Sequence, residues 1–170
     1  SSDYVKLATT STASSSLSMD GYFSSDYKAY KILYDAYNTS SGTNLGFRAI
    51  HSGSVDTNNN YTYCGNYQYR NSGGTGSGDE HDWQGSRIKL GNGGGSNDKR
   101  TSGEITLLNP QDSNHKQMFS ECTSWNDSGT QYCYNVYGTI LTSAALTGFN
   151  LHFWGSGTFT PTYVNLYGIK

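Results

Sequence analysis

The chain has 170 residues and a formal net charge of −2. Hydrophobic residues are 34% and charged residues 14% of it, both below the roughly 45–50% and 25% of ordinary globular domains. Gly, Ser, Thr and Asn fill the difference, and 15 Tyr stand among the hydrophobic residues. One domain is the simplest reading, with enough chain to bury a core without metal or disulfide staples. Few charges and many aromatics exclude disorder, which needs the opposite balance. No basic stripe is present to displace counterions from phosphates, so no nucleic-acid partner is expected. No run approaches the ~20 apolar residues of a membrane span, so no membrane partner is expected either. The opening Ser1-Ser2-Asp3-Tyr4 matches neither a signal peptide nor a lipidation site.

In chain order, residues 4–7 read as a short strand and residues 9–16 as an extended Ser/Thr/Ala run. Leu17 and Met19 alternate with Ser16 and Ser18, giving a second strand. Asp20 to Lys28 is mixed and has room for one helical turn, capped by Ser24 or Ser25. Tyr30, Ile32, Tyr34 and Ala36 share one face of a strand over 29–37. A loop over 38–43 leads to a strand over 44–52, with Leu45, Phe47 and Ala49 on one face. An Asn-rich turn over 53–60 precedes the clearest alternation in the chain. There Tyr61, Tyr63, Tyr67 and Tyr69 face one way, and Gly65 interrupts them where a bulge would fall. Residues 71–85 read as a long glycine-rich loop, 87–90 as a short strand, and 91–101 as a flexible loop. Strands follow over 103–108, 115–123 and 130–141.

At the C-terminal end, Phe149, Leu151 and Phe153 mark a strand with one apolar face. Gly155-Ser156-Gly157 breaks it, and residues 163–169 carry large groups on both alternate sets. This reads as a closing hairpin that the other strands are layered around, its second strand covered on both faces. No helix of normal length is visible. About ten short strands with frequent turns make an all-β antiparallel sandwich, with a shallow all-β barrel as the alternative.

The three cysteines, Cys64, Cys122 and Cys133, are too few and too odd in number for a disulfide scaffold. If Asn126-Asp127-Ser128-Gly129 forms a symmetric four-residue turn, Cys122 and Cys133 face each other across a hairpin, close enough for a bridge.

Candidate chemistry is sparse. Asp79-Glu80-His81-Asp82 is the densest set of metal-ligating types, but its spacing matches no known metal loop, and a solvated acidic loop is the simpler reading. Asp56-Thr57-Asn58-Asn59-Asn60 reads the same way. No metal, no cofactor and no catalytic residue is expected: nucleophile-elbow and phosphate-loop motifs lack their context, and no two acids are placed in one cleft as a glycosidase requires. His51, His115 and His152 are each isolated and read as outward-facing strand positions. The better ligand-binding candidates are aromatic: Trp83, Trp125 and Trp154, with Tyr67 and Tyr69, could stack sugar faces. A tyrosine ladder is also what a sheet face or subunit contact uses.

The form Phe149-x-Leu151-x-Phe153, then Gly-Ser-Gly, then Val164-x-Leu166-Tyr167-Gly168-Ile169-Lys170 resembles the end of a jelly-roll module of tailed-phage virion proteins, marine ones especially. Tyr4-Val5-Lys6-Leu7, Leu17-Ser18-Met19, residues 27–33, Leu45-Gly46-Phe47-Arg48 and residues 103–110 stand in that family's order. The resemblance spans most of the chain, is loose over 52–100, and rests on structural motifs. It implies a jelly-roll sandwich and a non-enzymatic structural role on a virion assembled in the host cytoplasm. A capsid decoration or cement protein is the leading expectation. It implies contacts with the major capsid protein or other virion proteins, and a homo-oligomer such as a trimer. A tail-fibre tip that binds a surface glycan is the second expectation. A small β-sandwich glycoside hydrolase or lyase is the third.

Overall fold

The computed structural model describes residues 3–40 and 43–170. Thirteen strands and no helix are found among them. The first five are β1 (Tyr4–Thr10), β2 (Leu17–Asp20), β3 (Ala29–Asn38), β4 (Asn44–His51) and β5 (Ser54–Val55). Next come β6 (Tyr61–Asn71), β7 (Gly74–Gly85), β8 (Ile88–Asn92) and β9 (Thr101–Leu108). The last are β10 (Lys116–Trp125), β11 (Gln131–Ile140), β12 (Gly148–Phe153) and β13 (Phe159–Ile169).

Eight of these strands pair in nested fashion, all antiparallel: β1 with β13, β2 with β12, β3 with β9, and β4 with β8. A ribbon of nested pairs wound about a core is a jelly roll, and the two sheets then run β1-β13-β3-β9 and β2-β12-β4-β8. The expected all-β sandwich is therefore the observed one. Two inserted hairpins, β6–β7 and β10–β11, lengthen the first sheet to β1-β13-β3-β9-β10-β11-β6-β7. The second sheet stays small, with β5 and β8 both paired to β4.

The core lies between the sheets. From the large sheet come Tyr30, Ile32 and Tyr34 of β3, Ile105 and Leu107 of β9, and Val164 and Leu166 of β13. From the small sheet come Leu45, Phe47, Phe149 and Leu151. The Phe47 and Phe149 rings stack at 6.3 Å, and Phe23 closes on Tyr30 at 4.4 Å. Two of the buried tyrosines, Tyr30 and Tyr61, keep partners for their polar tips. Tyr61 Oη donates to Asp56 O at 2.8 Å and accepts from Ala49 N at 3.0 Å.

Several expectations are corrected. The two C-terminal strands are not a hairpin: β12 lies between β2 and β4 in the small sheet, and β13 between β1 and β3 in the large one. The turn at 155–157 carries the chain across the sandwich. It is β12 that is buried on both faces, while β13 is buried on one only. Residues 20–28 form no helical turn, because Ser24 N and Ser24 O both bond Tyr30 Oη and hold the segment against the core. Residues 74–85 form a strand instead of a loop. Alternate glycines there give the rings of Tyr67 and Tyr69 room to lie over the neighbouring backbone, where a Cβ at Gly78 or Gly76 would meet them at 2.5 Å. Gly65 is not a bulge; the register slips between Tyr61 and Tyr63. Part of the expected 38–43 loop, residues 41–42, lies outside the described residues.

The β10–β11 register also differs from expectation. Gly129 sits at φ +75° and Asn126 N bonds Thr130 O, so the loop between paired residues is three long, 127–129. An odd loop shifts the pairing by one residue. Cys122 pairs with Tyr134, and Cys133 with Thr123. Successive residues point to opposite faces, so the two thiols are separated by the sheet. All three cysteines are free.

Candidate functional site

The inner face of the large sheet packs on the core; among the described residues no second layer covers its outer face. Burial along β10 alternates residue by residue, with Lys116, Met118, Ser120, Cys122 and Ser124 inward and the residues between them exposed. Register carries this outer set across neighbouring strands. One row contains Lys31, Thr106, Phe119, Tyr137, Cys64 and His81; the next contains Leu33, Glu104, Glu121, Asn135, Asn66 and Asp79. Of seven large hydrophobic residues with substantial exposure among the described residues, six fall on this face: Trp83 (75%), Tyr137 (57%), Tyr4, Trp125, Phe119 and Tyr163. That concentration makes the face, more than any one cleft, the candidate site, because large exposed aromatic area gathered on one side marks an interaction surface.

Two shallow depressions lie on it. One is bordered by Trp83, Tyr137, His81, Thr62 and Thr139. Trp83 is held there by a bulge in β7, where the register slips opposite Thr62 and Gln84 takes φ +56°. The other lies around Glu104, Glu121, Leu33, Asn135 and Tyr163. Glu104 and Glu121 stand directly opposite each other. Like charges so placed repel, and Lys31 Nζ answers with a 3.1 Å contact to Glu104. At the far end, the Asp35 carboxylate accepts from Arg100 Nη1 at 2.7 Å and from the Ser102 hydroxyl.

The aromatic residues singled out from sequence are not brought together. Trp83 and Trp125 share the outer face but sit at opposite ends of the sheet: register carries Trp125 through Gln131 and Arg70 to Thr75, at the far end of β7 from Trp83. Tyr67 and Tyr69 point to the inner face, where they cluster with Tyr132 and Tyr134 at ring distances of 5.4–6.4 Å. Trp154 belongs to the small sheet's side, with its indole over Gly46.

The acidic run Asp79–Asp82 is dispersed by its strand. Glu80 turns inward to Lys89 at 2.5 Å, while Asp79 and His81 point outward. No cluster of three metal-ligating side chains occurs among the described residues. Asp56 is 3% exposed and closes its own turn, accepting from Asn58 N, Asn58 Nδ2 and Asn60 Nδ2, with His51 Nε2 3.3 Å away. Burial works against its charge, but these bonds outweigh it and hold the carboxyl below its usual range. His152 is buried, not outward in solvent as expected.

Phe119, Tyr137, Glu104 and Glu121 were not singled out from sequence. The signal was present, since each sits at an outward position of an alternating strand, but it needed the register to be read. Compared with family models, with curated proteins and with solved structures, the chain has no match.

Proposed function

We propose that this chain is a structural protein of a virion surface, most simply a capsid decoration protein of a tailed phage, and that it works by contact through the outer face of its large sheet. The observation that carries the reading is the gathering of six exposed aromatic side chains on that single uncovered face. Aromatic anchors surrounded by Thr, Asn and Gln are what contact surfaces use, because they bury much area at little entropic cost. The resemblance of the chain's sequence motifs, at its two ends above all, to phage jelly-roll modules supports the setting. The opposed Glu104 and Glu121 favour a partner bearing lysine or arginine at the centre of the patch. On a symmetric shell many copies engage at once, so weak single contacts suffice.

A second reading is a glycan-binding module of a tail-fibre tip. The depression at Trp83 and Tyr137, rimmed by Thr62, His81 and Thr139, favours it. The test is compositional. Mass spectrometry of purified particles of the source phage should find the chain in many copies, and a Trp83→Ala, Tyr137→Ala double variant should fail to join them. A chain absent from particles would overturn the reading. Attachment unaffected by the double variant, with a glycan-array signal that it abolishes, would favour the second.

A further inference from the structure

The small sheet has its own outer face, and its chemistry is different. Register sets Ser18, Asn150 and Arg48 side by side across β2, β12 and β4, and His152 beside Gly46. Arg87 precedes Ile88, which pairs with Phe47, so Arg87 continues the ladder opposite Arg48. Arg48 Nε donates to Ser86 O at 3.0 Å. The Arg87 guanidinium lies 4.8 Å from the centre of the Trp154 ring, and its Nη1 lies 3.4 Å from His152 Nε2.

A relay of hydrogen bonds fixes the histidine. Asn150 Nδ2 donates to the hydroxyls of Ser16 and Ser18 at 3.1 and 3.0 Å. Its Oδ1 therefore accepts, and His152 Nδ1–H donates to it at 3.1 Å. Nε2 is left as a lone-pair acceptor toward Arg87. Burial and the two arginines push the imidazole pKa down to about 3, so the ring stays neutral.

Two guanidiniums thus share a half-buried face, and Asp56 acts on Arg48 only from beyond ion-pair distance. Lys31, Lys89, Lys99 and Arg100 each have a carboxylate within 4 Å; among the described residues Arg48 and Arg87 have none. Trp154 Nε1–H is buried there without an acceptor, which native structures rarely leave. It sits beside His152 Nε2 over Gly46, where a Cβ would come within 2.8 Å of one and 3.0 Å of the other.

The geometry points to an oxyanion site: Arg48 and Arg87 together hold a sulfate, phosphate or carboxylate group on the outer face of the small sheet. Planar guanidinium forks match such groups two bonds at a time. An anion that engages Arg87 draws it from its long contact with His152. Nε2 then becomes available to the unpaired Trp154 indole N–H. A free inorganic ion and an acidic saccharide share this chemistry, and neither depends on where in a virion the chain resides.

The test follows the three indole N–H resonances of 15N-labelled protein, with that of Trp154 identified by its loss in Trp154→Phe. Sodium sulfate, sodium phosphate, a uronate oligosaccharide and a neutral oligosaccharide are titrated separately at constant ionic strength. The Trp154 resonance should move saturably with the anions while those of Trp83 and Trp125 stay in place. Arg48→Gln and Arg87→Gln should each weaken binding about tenfold or more. Arg87→Lys, which keeps the charge if the glutamine variant does not fold, should fall between. Tighter binding of the uronate chain than of the ions would identify the saccharide as carrier, and equal binding the free ion. A response matched by sodium chloride, a response to the neutral sugar alone, or affinity unchanged in folded arginine variants would overturn the proposal.

Discussion

Thiol reactivity gives a sharp test of which residues face outward. Cys122 is buried at 7% exposure, and its S–H donates to Leu90 O at 3.1 Å. Burial, more than any neighbour, pushes its pKa from 9.0 to about 12. The thiolate is the reactive form, so three units lower its population by about 1000-fold relative to an ordinary thiol, before any loss of access is counted. Cys64 and Cys133 lie on the exposed outer face. With Ellman's reagent at pH 8, two thiols should react promptly in the native protein. The third should react only as fast as the fold opens, and all three should react at once in guanidinium. Peptide mapping should place the protected thiol at Cys122. Mild oxidant should not join Cys122 to Cys133. Three equally fast thiols, or an intrachain bond between 122 and 133, would refute the register and the face assignments built on it.

Other consequences follow from single sites. Lys116 is 1% exposed, and its ammonium donates to Thr142 O at 2.9 Å and Ala144 O at 2.6 Å. Lys116→Met strands both carbonyls and should cost about 1–3 kcal/mol in urea unfolding; a stabilised variant would contradict this role. At Gly65 a Cβ would lie 2.1 Å from Asn135 O, so Gly65→Ala should force β6 from β11 and destabilise by about 1–3 kcal/mol; a neutral result would mean the strands are further apart. His152 is a base whose pKa is lowered on folding. The unfolded chain takes up its proton first as pH falls, so stability is full above about 6.5 and is lost progressively toward about 3. The whole loss is on the order of 5 kcal/mol, and His152→Gln should flatten that part of the stability–pH curve. Trp83→Ala should change folding stability by no more than about 0.5 kcal/mol, because the side chain is 75% exposed. The same change should weaken attachment to particles by about 2 kcal/mol, or roughly 30-fold; equal attachment would remove Trp83 from the contact.

The fold was legible wherever a strand has one wet face. Leu17 and Met19 of β2, Tyr30 to Ala36 of β3 and Tyr61 and Tyr63 of β6 show their burial directly in the period of two. Partnership was less legible. Phe149 to Phe153 and residues 163–169 look like a hairpin because a glycine turn joins them, yet chain proximity says nothing about which sheet a strand enters. Strand β7 was hidden because two of its inward positions, Gly76 and Gly78, are glycines, whose place is filled by the cross-strand rings of Tyr69 and Tyr67. The cysteine faces hinged on whether the turn is four residues long or three, which Gly129 decides through its backbone angle. The arginine pair was invisible in sequence, since Arg48 and Arg87 are 39 positions apart and meet only through the β4–β8 ladder.

The contact proposed for this protein is through the uncovered face of its large sheet. A map of the intact particle that separates strands should show the sandwich seated with Trp83, Tyr137, Phe119 and the Glu104–Glu121 pair pressed against a coat subunit or a second copy. A sandwich held by other surfaces, with that face turned to solvent, would contradict it.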